Sequence, residues 1–303
     1  MSRGQSATAG SASGIVRGLL AGAIDYAGLF PPAALDMRAA VGNYLSYRAG
    51  DDAALLGRFV VPAARLNELA EALGDMGASR VKVSAVLGAN PLADLDAAAA
   101  FNARFAGDPA TIESIEAKAD RPGVIYELAA KASRLEVFVE LPVDGELELL
   151  VNAARAVGVR AKIRTGGVTA EAFPDARSVV RFMRACLDAG VPFKATAGLH
   201  HPLTGTYPLT YERGSPSGTM FGFLNVFLAA AFLAGGTSDQ DAARLLEDHD
   251  RASFSFTEGG ADWRGHSVDS AQLVSTHARV FGSFGSCSFR EPIDELRSMA
   301  LLP

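Results

Sequence analysis

The sequence contains little cysteine and no excess of basic residues. Only two of its 303 residues are cysteine, Cys186 and Cys287, and they stand in no paired motif. Two isolated cysteines indicate neither a disulfide framework nor a cysteine-rich metal site, so we expect the reducing environment of the cytoplasm. With 28 basic and 34 acidic residues, the net charge of -6 leaves no basic surface for a phosphate backbone. We therefore expect no nucleic-acid partner.

Long apolar runs are also absent from the sequence. The most apolar stretch, 221–234, contains Asn225 and is shorter than the roughly 20 residues that span a bilayer. We predict a buried helix there and no membrane association. Residues 1–14 are mostly Ser, Gly and Ala without the apolar core of a signal peptide, which indicates a flexible N-terminal tail. Residues 15–303 are then expected to form one domain.

Lysine is scarce as well. Only five of the 28 basic residues are lysine, and the rest are arginine. Four of the five fall within short β-like runs, at Lys82, Lys118, Lys162 and Lys194. Strand interiors are poor places for surface charge, so these lysines are candidates for a functional role.

Short β-branched or aromatic runs alternate with helix-like segments along the whole chain, which is typical of βα units. The pattern predicts eight strands, at 23–29, 57–61, 80–87, 112–117, 136–141, 161–164, 192–197 and 253–257. Eight units without a linker favour an α/β fold with a single (β/α)8 barrel over an open sheet. Short extra helices are expected at 14–21 and 291–301, and the irregular segment 201–218 is expected to be a lid loop.

In such a barrel the chemistry lies at the carboxyl ends of the strands, and alternate residues face the interior. The predicted sixth strand would send Lys162 and Arg164 inward, and the seventh would send Lys194 and Thr196 inward. Glu140, at the end of the fifth strand, would lie beside Lys162. The barrel interior is therefore expected to be charged near its upper rim.

Two interpretations of these charges stand side by side. In the first they are structural ion pairs, Glu140 with Lys162 and Glu116 with Lys118. In the second, two neighbouring ammonium groups disfavour each other's ionisation, so that one lysine is neutral near pH 7 and forms a Schiff base with a carbonyl compound. Arginine cannot do this because it stays protonated.

Glycine follows both strands, in the runs Lys162-Ile-Arg-Thr165-Gly166-Gly167 and Lys194-Ala-Thr-Ala-Gly198, where it allows a ligand to approach the backbone. These runs resemble the Lys-Thr-Ser-Thr-Gly and Lys-Ala-x-Gly-Gly motifs of the deoxyribose-phosphate aldolase family of class I aldolases. The resemblance implies that Lys162 is the Schiff-base lysine and that Lys194 lowers its pKa.

The chain departs from that family at several positions. Arg164 replaces a small hydroxyl residue, and Ala197 replaces the first of the paired glycines. In place of the family's phosphate-binding Gly-Ser run, the predicted eighth strand is followed by Glu258-Gly-Gly, so a phosphosugar substrate is not expected. No Asp matches the family's proton-relay acid, so Glu140 and Asp25 are nominated by position.

The dipeptide His200-His201 follows the predicted seventh strand directly. His200 could contact the substrate as a general acid or base, or it could hydrogen-bond the loop backbone. A further alternative is a metal site that joins His200 to carboxylates such as Glu140, Asp25 or Glu258, or to His266.

Residues after the predicted eighth strand offer an anion clamp, with Arg264 and Glu258 near the substrate. Cys287 follows a helix predicted at 270–281 that should end at the bottom of the barrel, so we interpret this cysteine as structural.

The sequence thus predicts an aldolase-like lyase that binds a small anionic or carbonyl-containing substrate, with no cofactor and no bound metal. The alternatives are a metal-assisted lyase or hydrolase and a barrel that binds a metabolite without catalysis. The sequence offers no basis for an oligomeric state.

Overall fold

Eight parallel strands close into a barrel in the computed structural model, which describes residues 13–78, 80–105 and 108–303. The (β/α)8 fold class is therefore confirmed. The barrel strands, in chain order and in order around the barrel, are β1 (Ile24–Tyr26), β2 (Leu56–Pro62), β3 (Val81–Val86), β4 (Ala110–Lys118), β5 (Glu136–Glu140), β6 (Arg160–Arg164), β7 (Phe193–Thr196) and β13 (Phe281–Ser286).

Helices lie between the strands and cover the outside of the barrel, with one more helix before β1 and one after β13. They are α1 (13–19), α2 (Met37–Ala49), α3 (Leu66–Asp75), α4 (Pro91–Phe105), α5 (Pro122–Lys131), α6 (Leu147–Ala156), α7 (Ala176–Ala189), α8 (Phe223–Ala234), α9 (Asp239–Glu247), α10 (Ser270–Arg279) and α11 (Arg290–Ser298). Side chains of Asp36, Asp175 and Asp269 accept backbone N–H bonds in the first turns of α2, α7 and α10, which explains where these helices begin. The last two residues of the predicted tail, 13 and 14, belong to α1, and the rest of the tail lies outside the described residues.

Helix α8 is the buried helix expected from the apolar stretch. Every residue from Phe223 to Leu233 is buried. Its one polar residue, Asn225, is satisfied because its amide donates to the carbonyl oxygens of Leu245 and Asp248 and accepts from the N–H of Thr204. Within the described ranges, no helix is both apolar enough and long enough to span a bilayer.

The eighth barrel strand was predicted wrongly. The segment predicted at 253–257 contains β10 (Phe254–Thr257), which pairs antiparallel with β11 (Gly260–Trp263), itself paired with β12 (His266–Asp269), in a separate sheet. The strand that closes the barrel is β13, between β7 and β1. Its sequence, Phe-Gly-Ser-Phe-Gly-Ser, has no β-branched residue, so its β-propensity is weak. It is held by burial, with Phe284 stacked on Phe223 of α8 at 4.9 Å.

The segment predicted as a lid, 201–218, contains the antiparallel hairpin of β8 (Gly205–Pro208) and β9 (Ser217–Met220). The hairpin turn carries Tyr211, whose hydroxyl donates to Glu291 of α11 at 3.0 Å. The hairpin therefore packs over the end of the barrel at which β7 and β13 finish.

A layer of ion pairs lies at the amino-terminal ends of β2 to β6, and we call it the lower charged layer. Arg58 and Arg160 contact the two oxygens of Glu136 at 2.8 and 2.7 Å. Arg58 and Lys82 contact Glu113 at 3.2 and 3.4 Å. All five side chains are partly exposed, from 24% for Arg58 to 65% for Lys82.

Candidate active site

Two buried lysines lie side by side inside the barrel. Lys162 of β6 and Lys194 of β7 are register partners on adjacent strands, and they are 4% and 1% exposed. Side chains alternate along a strand, so the neighbours Ile163 and Ala195 lie on the outer face while the two lysines point inward, as the sequence predicted for the lysines. Both lysines line the same cavity.

Glu116 of β4 joins the two lysines. One of its carboxylate oxygens lies 2.8 Å from Lys162 Nζ and the other lies 2.8 Å from Lys194 Nζ. Ser84 donates to the same carboxylate at 2.8 Å and accepts from Ser114 at 2.8 Å. Burial alone would raise the pKa of Glu116, but the two ammonium groups outweigh it and hold this pKa well below its usual range.

Asp25 of β1 is the second partner of Lys194. Its Oδ2 lies 2.5 Å from Lys194 Nζ and accepts from Ser283 at 2.9 Å, while its Oδ1 accepts the N–H of Arg58 at 2.7 Å. A Cβ at Gly57 would lie 2.3 Å from this Oδ1, so glycine is required for the approach. Burial opposes the charge on Lys194, but Asp25 and Glu116 more than offset it and raise the pKa of the amine.

Glu140 of β5 is the second partner of Lys162, with Oε2 at 2.9 Å from Nζ. Its other oxygen accepts from Arg164 at 3.0 Å. Burial is outweighed by these two cations, so the pKa of Glu140 is lowered. The predicted contact between Glu140 and Lys162 is present. The expected pair of Glu116 with Lys118 is not, because Lys118 ends β4 in an exposed position while Glu116 lies inside the barrel.

We call this group the upper charged layer: Asp25, Glu116, Glu140, Lys162 and Lys194. Three of its members, Glu116, Lys162 and Lys194, form one side of a cavity of about 220 Å³ at the carboxyl ends of the strands. Its other walls come mainly from apolar and small residues of the strand ends and of the loops above them. Lining residues that the sequence also singled out are Arg164, Gly167, Thr196 and His200.

Thr165, Gly166 and Gly198 support the cavity from behind. The Thr165 hydroxyl donates to the carbonyl oxygen of Ala197 at 2.6 Å. A Cβ at Gly166 would lie 2.9 Å from the Cα of Gly198 and 2.5 Å from the ring of Phe173. Gly198 also has a φ of 76°, which favours glycine. These residues let the β6 and β7 loops cross closely, and they shape the cavity without lining it.

Cys287 also lines the cavity, contrary to its predicted position at the bottom of the barrel. The correction follows from the strand assignment, because Cys287 comes directly after β13 and hence at the carboxyl end of a barrel strand. Its Sγ lies 3.8 Å from Nδ1 of His200. The same correction places Gly285-Ser286 at the end of the eighth strand. A Gly-Ser pair is therefore present at the position where the predicted strand had shown no counterpart of the aldolase family's Gly-Ser run.

Glu258 and Arg264 do not reach the site. Glu258 is exposed in the turn between β10 and β11, and Arg264 follows β11 and contacts Asp248 at 2.7 Å. Both were nominated because the strand before them was taken as the eighth barrel strand.

The metal site proposed around His200 is not assembled. Asp25 and Glu140 are held by lysines, and His266 stacks on Trp263 at 5.6 Å. The neighbouring His201 instead pairs with Glu295 of α11, whose carboxylate oxygen lies 2.6 Å from its Nδ1.

No family model and no curated protein matches the chain. Among solved structures, the chain is similar to lysine/ornithine decarboxylase from Vibrio vulnificus, complexed with cadaverine and complexed with putrescine. Each comparison has 12% identity and a TM-score of 0.36, and covers 62% of this chain. The matched region spans 50% of those proteins. The assignment of the barrel rests on its own strand pairing.

Proposed function

We propose that the protein is a small-metabolite enzyme, an aldolase-like lyase in which Lys162 forms a Schiff base with a small carbonyl compound. The observation that carries this proposal is the pair of buried lysines that face one cavity and share Glu116. A cavity of about 220 Å³ suits a small substrate, since drug-sized ligands occupy roughly 300 Å³ or more.

The pattern of contacts favours Lys162 over Lys194 as the nucleophile. If Lys162 gives up its proton, Glu116 remains paired with Lys194 and Glu140 remains paired with Arg164. If Lys194 gives up its proton, Asp25 loses its ammonium partner. Deprotonation of Lys162 therefore leaves no buried carboxylate without a cation, and Lys194, whose pKa is raised, stays charged.

In this proposal the neutral amine of Lys162 attacks the carbonyl carbon, and loss of water from the adduct gives the iminium ion. Glu140 and Glu116 contact the amine and are positioned to move protons at its nitrogen. Asp25 positions Lys194. Arg164, which is 47% exposed at the rim, would orient a substrate carboxylate or oxyanion.

Borohydride trapping tests the proposal. The protein is incubated with small aldehydes, ketones and keto acids, reduced, and analysed by intact mass and peptide mapping. We expect one adduct on Lys162 that is lost in Lys162→Ala and falls at least about tenfold in Lys194→Met. Lys131→Ala, which removes an exposed lysine of α5, is the matched control and should trap normally.

Absence of an adduct from folded protein with every carbonyl compound would refute the Schiff-base mechanism. Ligand binding without an adduct would then favour the non-catalytic barrel. Turnover that disappears after chelation would favour the metal-assisted reaction.

A further inference from the structure

The two cysteines of the chain have opposite surroundings. Cys186 of α7 is fully buried among apolar residues, and burial raises the pKa of its thiol. Cys287 is 5% exposed and lines the cavity. The chain therefore carries its own unreactive reference for any experiment on Cys287.

Several polar groups surround the Cys287 sulfur. His200 Nδ1 lies 3.8 Å from Sγ and 3.5 Å from a carboxylate oxygen of Glu291, and Ser286 Oγ is 3.3 Å from the same nitrogen. The Tyr211 hydroxyl is 3.5 Å from Sγ. One nitrogen of His200 thus faces both the Cys287 sulfur and the Glu291 carboxylate, and a negative charge on either group favours the protonated imidazole.

The pKa directions of Cys287 and His200 are those expected from their contact. Burial opposes ionisation of both groups, but the contact between them outweighs it, lowering the pKa of Cys287 and, with the help of Glu291, raising that of His200 to about 9. Burial would raise the pKa of Glu291, but its contact with His200 outweighs burial and lowers this pKa. Other titratable groups near the pair are Tyr26 and Tyr211, His201 beyond His200, and the lysines and Arg164 across the cavity.

We propose that Cys287 and His200 form a thiolate–imidazolium pair, a second reactive site of the cavity that takes small α,β-unsaturated carbonyl compounds. This class of ligand is supported by the positions of the lysine ammonium and of the Cys287 thiolate on the cavity wall. The ammonium group of Lys194 lies on the barrel-interior side of the cavity, where it would polarise a carbonyl oxygen. The thiolate, in the loop above β13, would then face the conjugated carbon. This site does not require the Schiff base.

The step is an addition. The thiolate forms a carbon–sulfur bond at the β-carbon, and the electron pair of the carbon–carbon double bond moves to give an enolate. The enolate α-carbon then takes the proton of the His200 imidazolium. The product is a neutral thioether with the carbonyl group restored, and no oxidant or reductant is consumed.

Alkylation with limiting iodoacetamide, followed by peptide mapping, tests the pair first. We expect Cys287 to be labelled at least about tenfold faster than Cys186 in the folded protein, because only the thiolate reacts. An ordinary thiol of pKa near 8.5 reacts roughly 50-fold more slowly at pH 6.5 than at pH 8.5. For Cys287 we expect a decrease of less than about fivefold.

The variant His200→Gln removes the cation and should restore the steep pH dependence of an ordinary thiol. Glu291→Gln, which leaves the imidazole in place, should give an intermediate profile and provides a second variant if the first does not fold. Incubation with methyl vinyl ketone should add one probe to Cys287, and Lys162→Ala should still label. Equal labelling of both cysteines, labelling only after unfolding, or an ordinary pH profile in the unmodified protein would overturn the proposal.

Discussion

The barrel contains two layers of ion pairs on largely the same strands, and they use different cations in different surroundings. The lower charged layer pairs mostly arginine with glutamate, and its side chains are 24% to 65% exposed. The upper charged layer pairs lysine with carboxylates, and the side chains of its lysines are 5% and 1% exposed. A guanidinium in water gives a permanent charge at little cost, whereas a buried amine can lose its proton.

The two layers differ in their access to solvent. The lower layer joins the starts of five strands and faces solvent, so each charge there keeps part of its hydration. The upper layer has no such access, and each of its charges depends on its partners. Of the five lysines, Lys162 and Lys194 stand in the upper layer, where a cation can lose its proton, and the other three are exposed.

The largest expected effect comes from removing the shared carboxylate of the upper layer. Glu116→Gln leaves two buried ammonium groups with one partner each, and we expect it to lower the free energy of unfolding by about 3–5 kcal/mol. The matched change in the lower layer, Glu136→Gln, should cost about 0–1 kcal/mol because its partners stay hydrated. Urea unfolding followed by circular dichroism measures both. Similar costs for the two variants would contradict the distinction between the layers.

A smaller effect is expected from acid. The folded-state pKa of Glu116 lies well below the unfolded value near 4.3, so its stabilisation is complete above that value and decreases as the pH falls below it. The difference in unfolding free energy between the unmodified protein and Glu116→Gln should therefore be constant from pH 5 to 8 and shrink by about 1–2 kcal/mol between pH 5 and pH 3. Urea unfolding across this range provides the measurement. A difference that grows toward acid pH would show that Glu116 is not held as a carboxylate in the fold.

The sequence predicted the barrel and the lysine pair because local patterns determine both. In β6 and β7 the alternation around Ile163 and Ala195 is clear, and it places Lys162 and Lys194 inward. The partner of these lysines was not predictable in the same way, because Glu116 reaches them from β4, which is not adjacent to β7 in the barrel. Its position relative to Lys194 depends on the closure of the sheet.

The eighth strand shows where local patterns fail. The glycines and serines of β13 suit the crowded barrel interior but resemble a loop, while β10 has the alternation of an exposed antiparallel strand. That one error removed Cys287 from the predicted site and placed Glu258 and Arg264 in it. One signal in the sequence could have identified β13 as a barrel strand. It is the set of small residues beside Phe281 and Phe284, which suit the inward-facing positions of a barrel strand.

The smallest expected effect is that of salt on the coupling energy of an ion pair, which should differ between the lower and the upper charged layer. A double-mutant cycle on Arg160→Met and Glu136→Gln should give a coupling of about 0.2–1 kcal/mol at 0.1 M NaCl. Raising the salt to 1 M shortens the Debye length from about 10 Å to about 3 Å, so this coupling should fall toward zero. The equivalent cycle on Lys162→Met and Glu116→Gln should keep its value, because ions do not reach a pair whose side chains are 5% and 2% exposed. Loss of both couplings in 1 M NaCl would mean that solvent and ions enter the upper layer, so that its lysines would not depend on protein partners alone.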